Sequence, residues 1–154
     1  MGKYDRIVKR LIETINDVAP ACYVENVIID LLKADDIYGA VDIAKKINPG
    51  SQFASAFANE LLIVDNEFVM DDSFIVMKKI AGDEITEKEA DIMLRRYMGP
   101  DGKNQSRARS APKEILQASS KETMIRFFEC AIEDQTVGNI EYARTFWPYL
   151  KEKI

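Results

Sequence analysis

Apolar residues recur along this chain at the three-to-four-residue spacing of an amphipathic helix, with polar stops between the runs. Ile7, Val8, Leu11, Ile12 and Ile15 make the first stripe, in a helix expected over about Lys3 to Asp17. Val18-Ala19-Pro20 stops it, because proline pushes its predecessor out of the helical region. Val24, Val27, Ile28, Leu31 and Leu32 share one face of a second helix over Ala21 to Lys33. Asp35 or Asp36 caps a third, carrying Ile37, Ala40, Val41, Ala44 and Ile47 and ending at Asn48-Pro49-Gly50. Ser51 caps a fourth that runs to about Val64, and its Ala54, Ala56 and Ala58 permit close helix–helix approach.

After an expected turn at Asp65-Asn66-Glu67, Asp71 and Asp72 start a fifth helix that ends at Gly82-Asp83. Thr86 and Glu89 have the spacing of a capping box, in which each side chain satisfies the other's backbone N–H. They open a sixth helix with Ala90, Met93, Leu94 and Tyr97 inward, closed by Gly99-Pro100-Asp101-Gly102. A polar loop to Ser110 follows. Pro112 then starts a short helix to about Ala118. Ser119 and Glu122 give a second capping box for a helix to Asp134. The last helix runs from Thr136 or Val137 to about Lys151, and Pro148 is expected to kink or end it near Phe146.

No segment alternates as a strand between hairpin turns. The pattern therefore predicts an all-α fold, a compact bundle of about eight or nine short helices in one domain spanning 1–154. Within it, helices over 1–98 and over 111–154 flank the loop 99–110. An internal likeness suggests stacked helical hairpins as the other arrangement. Asp35 to Lys45 resembles Asp134 to Arg144 at an offset of 99 residues, three times 33, and Lys45-Lys46-Ile47 repeats as Lys78-Lys79-Ile80. A period near 33 is that of helix-hairpin arrays, but their aromatic and alanine signature is missing here.

Charge divides the chain. Met93 to Lys113 holds Arg95, Arg96, Lys103, Arg107, Arg109 and Lys113 against Asp101 alone, a net of +5, so the remainder carries −10 to give the overall −5. The acidic body disfavours nucleic acid and favours a partner with a basic surface. The basic stretch keeps a nucleic-acid-binding regulator as an alternative. The runs Leu61 to Val64 and Phe74 to Met77 are far shorter than the ~18 residues a membrane span needs. The charged N-terminus has no apolar signal region, so the expected location is cytoplasmic.

The chain has no histidine. That removes the commonest general base and zinc ligand, leaving a histidine-free enzyme or small-ligand carrier as the third reading. Lys78 to Glu89 fails as a calcium loop, since Lys78, Ile80 and Gly82 stand where carboxylates are required. The acidic pairs Asp35-Asp36, Asp71-Asp72, Asp83-Glu84 and Glu133-Asp134 all fall at helix ends, where capping and solvation account for them. No metal or cofactor is expected. Cys22 and Cys130 read as buried thiols.

Aromatic residues mark the remaining candidates. Neighbours on a helix diverge by about 100°, so one of Phe127/Phe128 and one of Phe146/Trp147 is expected to be exposed or to lie against another element. The expected function is a non-enzymatic protein–protein interaction module: an adaptor, regulator or inhibitor. Its candidate partner-binding residues are Arg95, Arg96, Arg107, Arg109, Phe127, Trp147 and Tyr149.

Overall fold

The structure is a computed structural model that describes residues 2–18, 23–64, 73–132 and 137–154. Among these residues it is all-helical, with ten helices and no strand. The expected Pro20 stop, the Asp65-Asn66-Glu67 turn, the Asp71/Asp72 helix start, the Glu133-Asp134 pair and Cys22 lie outside the described residues. The chain divides into two compact units, Met1–Glu84 and Ile85–Ile154. The basic stretch, read from the sequence as the joint between two sets of helices, lies wholly inside the second.

The first unit contains α1 (Asp5–Val18), α2 (Tyr23–Lys33), α3 (Ile37–Ala44), α4 (Gln52–Val64) and α5 (Ser73–Ala81). Its closest packings are α2 on α3, α4 on α5 and α1 on α4. The stripes read from the sequence supply its core: Ile7 and Leu11 from α1, Ile28 and Leu32 from α2, Ile37 and Ala40 from α3. Phe57 and Leu61 of α4 and Phe74 and Met77 of α5 complete it. Ala54 and Ala58 are fully buried in α4, where a small side chain lets neighbouring backbones approach. Asp36 is the cap of α3, its Oδ1 accepting from the Gly39 N–H at 2.9 Å. Ser51 Oγ accepts from the Phe53 N–H at 3.2 Å at the start of α4. The turn after α3 is tied to the end of α5, where the Gly50 N–H donates to the Ile80 carbonyl at 3.0 Å. Gly50 and Gly82 both have positive φ there, and a Cβ on Gly82 would lie 3.7 Å from the Gly50 Cα.

The second unit contains α6 (Glu87–Met98), α7 (Gln105–Ala108), α8 (Lys113–Ala118), α9 (Lys121–Ala131) and α10 (Val137–Lys151). Helix α6 packs on α7, α8 and α9, and α9 packs on α10. Met93, Leu94, Tyr97, Ile115, Leu116, Met124 and Phe127 form the core. The Thr86/Glu89 capping box is present in both directions, at 3.1 and 3.0 Å.

Three local features differ from the sequence reading. A short helix, α7, interrupts the expected loop; Asn104 caps it by accepting from the Arg107 N–H, and Ala108 is fully buried. The cap of α9 is Ser120, one residue later than expected. Ser119 is instead buried and donates to the Ile115 carbonyl at 2.7 Å, while the Ser120 N–H donates to Asp91 Oδ1 at 2.8 Å, fastening α9 to α6. Finally, α10 continues through Pro148 to Lys151. Pro148 stands one turn from the helix end, so it removes a single interior hydrogen bond. Beyond it, Leu150 is buried and Lys153 Nζ donates to the Gln117 carbonyl at 2.8 Å.

Candidate functional site

The candidate residues lie in the second unit, on and around α9. Taking 100° per residue, Thr123, Met124, Phe127, Cys130 and Ala131 point to the core and are buried. That leaves two outward flanks. One carries Ile125 and Phe128, on the side of α10; the other carries Arg126 and Glu129, on the side of the turn after α6.

The apolar flank settles where the aromatic candidates stand. Phe127 is a core residue with zero exposure, 6.1 Å edge-on from Phe146 and 6.4 Å from Tyr142. Phe128 is the member of that pair nearer the surface, half-buried with its ring edge-on to Trp147 at 6.4 Å. Trp147 is 45% exposed. Tyr149 is half-buried, its ring 5.8 Å from Phe146. Ile125 and Ile140 are also exposed, and Ile140 shares a face of α10 with Trp147, seven residues or two turns on. The aromatic pairs include Phe128, but the candidate taken from that pair was Phe127; Ile125 and Ile140, which are not aromatic, lie outside that pattern. Plotting α9 around Thr123, Phe127 and Cys130 as the inward face would have placed Phe128 and Ile125 outward.

The basic stretch does not present its cations as one group. Arg95 and Arg107 are exposed and Arg96 is half-buried. Arg109 is turned inward: its Nε and Nη2 both donate to the Ala131 carbonyl, at 3.2 and 3.1 Å. Gln105 Nε2 donates to the same oxygen at 3.2 Å. Ala131 is the last residue of α9, where carbonyls lack helical partners and the helix dipole is negative. Gln105 and Arg109 stand one turn apart and together cap that helix end from α7. The Arg109 guanidinium also lies 5.6 Å from the Tyr142 ring centroid, within cation–π range.

Burial pushes the Tyr142 phenol well above its ordinary 10.0; the Arg109 charge opposes this and Cys130 adds to it. A group whose folded pKa is raised stabilises the fold fully below its unfolded pKa, and that contribution erodes as pH climbs from there toward the folded value. Tyr142→Phe is therefore expected to flatten the alkaline limb of the unfolding free energy, above about pH 10, while leaving neutral stability within about 1 kcal/mol. Urea titrations at a series of alkaline pH values, compared between wild type and variant, check this.

On the other flank, Arg95, Met98, Gly99, Pro100, Asp101, Gly102, Lys103, Arg126, Glu129 and Cys130 line an open cleft of about 570 Å³. Gly99 closes α6 at φ 85°, in the left-handed region that favours glycine. The turn beyond it is held by its own backbone: Gly102 N–H to Gly99 O at 3.1 Å and Asn104 N–H to Met98 O at 2.8 Å. The Lys103 N–H donates to Asp101 Oδ1 at 3.0 Å. In the first unit a smaller cleft of about 360 Å³ lies beside Asn48-Pro49-Gly50. Among the described residues no group of three or more histidine, cysteine, aspartate or glutamate side chains is placed to hold a metal ion. Among the described residues no helix is long and apolar enough to cross a membrane.

Comparison with protein families, characterised proteins and solved structures finds no match to this chain.

Proposed function

We propose that this chain is a non-enzymatic protein–protein interaction module, an adaptor, regulator or inhibitor acting on another protein in the cytoplasm. The observation that carries the reading is Trp147, nearly half exposed and braced edge-on by Phe128, with exposed Ile125 and Ile140 on the same two helices. Keeping a tryptophan in water forfeits the burial that would stabilise the fold. Tryptophan is also the residue type most enriched among those that dominate interface energies. Phe128 limits its rotamers, so less conformational entropy is lost when a partner covers it. The net charge of −5 steers the encounter toward a basic surface. The nucleic-acid alternative is weakened at Arg109, whose Nε and Nη2 are engaged by the end of α9.

The test is a comparison of two baits. Wild-type and Trp147→Ala proteins, both verified as folded by circular dichroism, are used to capture partners from the native source. A captured protein is then titrated directly against each. Trp147→Ala is expected to weaken binding by about tenfold or more, with its urea midpoint little changed. Equal affinity of the two baits for every captured protein would refute the proposed surface.

A further inference from the structure

We propose that the cleft between the end of α6, the Gly99–Lys103 turn and α9 is a binding site for a small phosphorylated molecule of about mononucleotide size. This site lies on the opposite flank of α9 from the Trp147 surface and does not depend on the protein-interaction reading.

Three observations carry it. The first is charge from three separate segments. Arg95 comes from α6, Lys103 from the turn and Arg126 from α9, and all three line one cleft. None of these side chains lies within 4.0 Å of a carboxylate among the described residues, although ion pairs form elsewhere, as between Arg6 and Glu60 at 2.9 Å. These three exposed cations, none of them ion-paired among the described residues, outnumber the two carboxylates that line the same cleft, Asp101 and Glu129, and so attract an anion.

The second observation is which groups remain to recognise the anion. The turn's N–H groups at Gly102, Lys103 and Asn104 are already donated within the turn. It is therefore not a phosphate-cradling loop of backbone amides, and recognition falls to the side chains. Two guanidinium forks and an ammonium suit a tetrahedral group with three terminal oxygens better than a planar carboxylate, which one arginine satisfies in bidentate fashion.

The third is size and lining. About 570 Å³ lies within the ~300–1,000 Å³ range of small-molecule sites and is far more than a bare phosphate fills. Met98, Pro100 and Cys130 give the cleft an apolar part for an organic body. Of the two carboxylates that line it, Asp101 is bound to the turn through Oδ1. Glu129 supplies an acceptor for a hydroxyl or amino group of the ligand.

The experiment is a titration of the full chain, followed by amide and arginine side-chain NMR, with adenosine 5′-monophosphate, inorganic phosphate and acetate in parallel at constant ionic strength. Adenosine 5′-monophosphate is expected to perturb Arg95, Arg126 and the Gly99–Lys103 turn and to bind more tightly than inorganic phosphate, with acetate weaker than both. Arg95→Gln and Arg126→Gln should each weaken binding by about tenfold. Arg144→Gln, an exposed arginine of α10 outside the cleft, should leave it unchanged. The proposal is overturned if the turn does not respond at millimolar ligand, or if the nucleotide binds no more tightly than phosphate or acetate. Equal weakening by Arg144→Gln would also overturn it, since the effect would then be general counterion attraction.

Discussion

Phe127→Ala is expected to destabilise the C-terminal unit by about 3–5 kcal/mol, the range for removing a fully buried phenylalanine. Phe127 has zero exposure and its ring joins α9 to α10 through Phe146 and Tyr142. Its removal would leave a cavity between the two helices, while the Phe128–Trp147 contact at their half-buried edge would remain. A loss of this size is a large share of the ~5–15 kcal/mol that holds a domain folded. Urea unfolding followed by circular dichroism measures it. Phe128→Ala, one residue on but half-buried, should cost much less, about 1 kcal/mol. If the two variants lost equal stability, the assignment of Phe127 to the core and Phe128 to the surface would fail.

That contrast shows how far the sequence alone could be read. The helices were legible because their stripes are regular: Ile7 and Leu11, Ile28 and Leu32, Ile37 and Ala40 all reach the core as the spacing predicts. Caps formed by a residue with its own near neighbours were legible too, as with Asp36 on Gly39, Ser51 on Phe53 and the Thr86/Glu89 box. Ser120 displaced Ser119 as a cap because of a distant residue. Asp91 on α6 takes the Ser120 N–H, and no local spacing encodes that contact. The same holds for Arg109. Most residues from Asp101 to Ser110 are polar, and the stretch reads as a solvated basic loop. What turns Arg109 inward is the carbonyl end of α9, 22 residues away. A sum of charge over Met93 to Lys113 treats Arg107 and Arg109 as equals, although the first is exposed and the second is held by two hydrogen bonds. The cleft was illegible for a related reason: Arg126 joins Arg95 and Lys103 only through the packing of α9 beside the turn.

Arg109→Ala is expected to cost about 1.5–3 kcal/mol of stability, the range for hydrogen bonds that involve a charged group. Two donors leave the Ala131 carbonyl, which keeps only Gln105 Nε2. The favourable charge at the negative end of α9 goes with them, as does the guanidinium beside the Tyr142 ring. Arg107→Ala, two residues earlier and exposed, should change stability by no more than about 0.5 kcal/mol. Arg109→Lys should fall between, because an ammonium restores charge at the helix end but not the planar fork that gives the carbonyl two bonds. A second readout separates this capping role from a loss of side-chain packing. Arg109 lowers the Tyr142 pKa against the larger effect of burial, so Arg109→Ala should move the alkaline absorbance titration of Tyr142 further upward and Arg109→Lys should largely reverse that shift. If Arg109 acted first as a partner contact, Arg109→Ala would weaken binding while leaving both the unfolding midpoint and the Tyr142 titration in place. The geometry predicts the opposite order, with the fold and the phenol responding first and partner affinity falling only as far as the α9–α10 surface is disturbed.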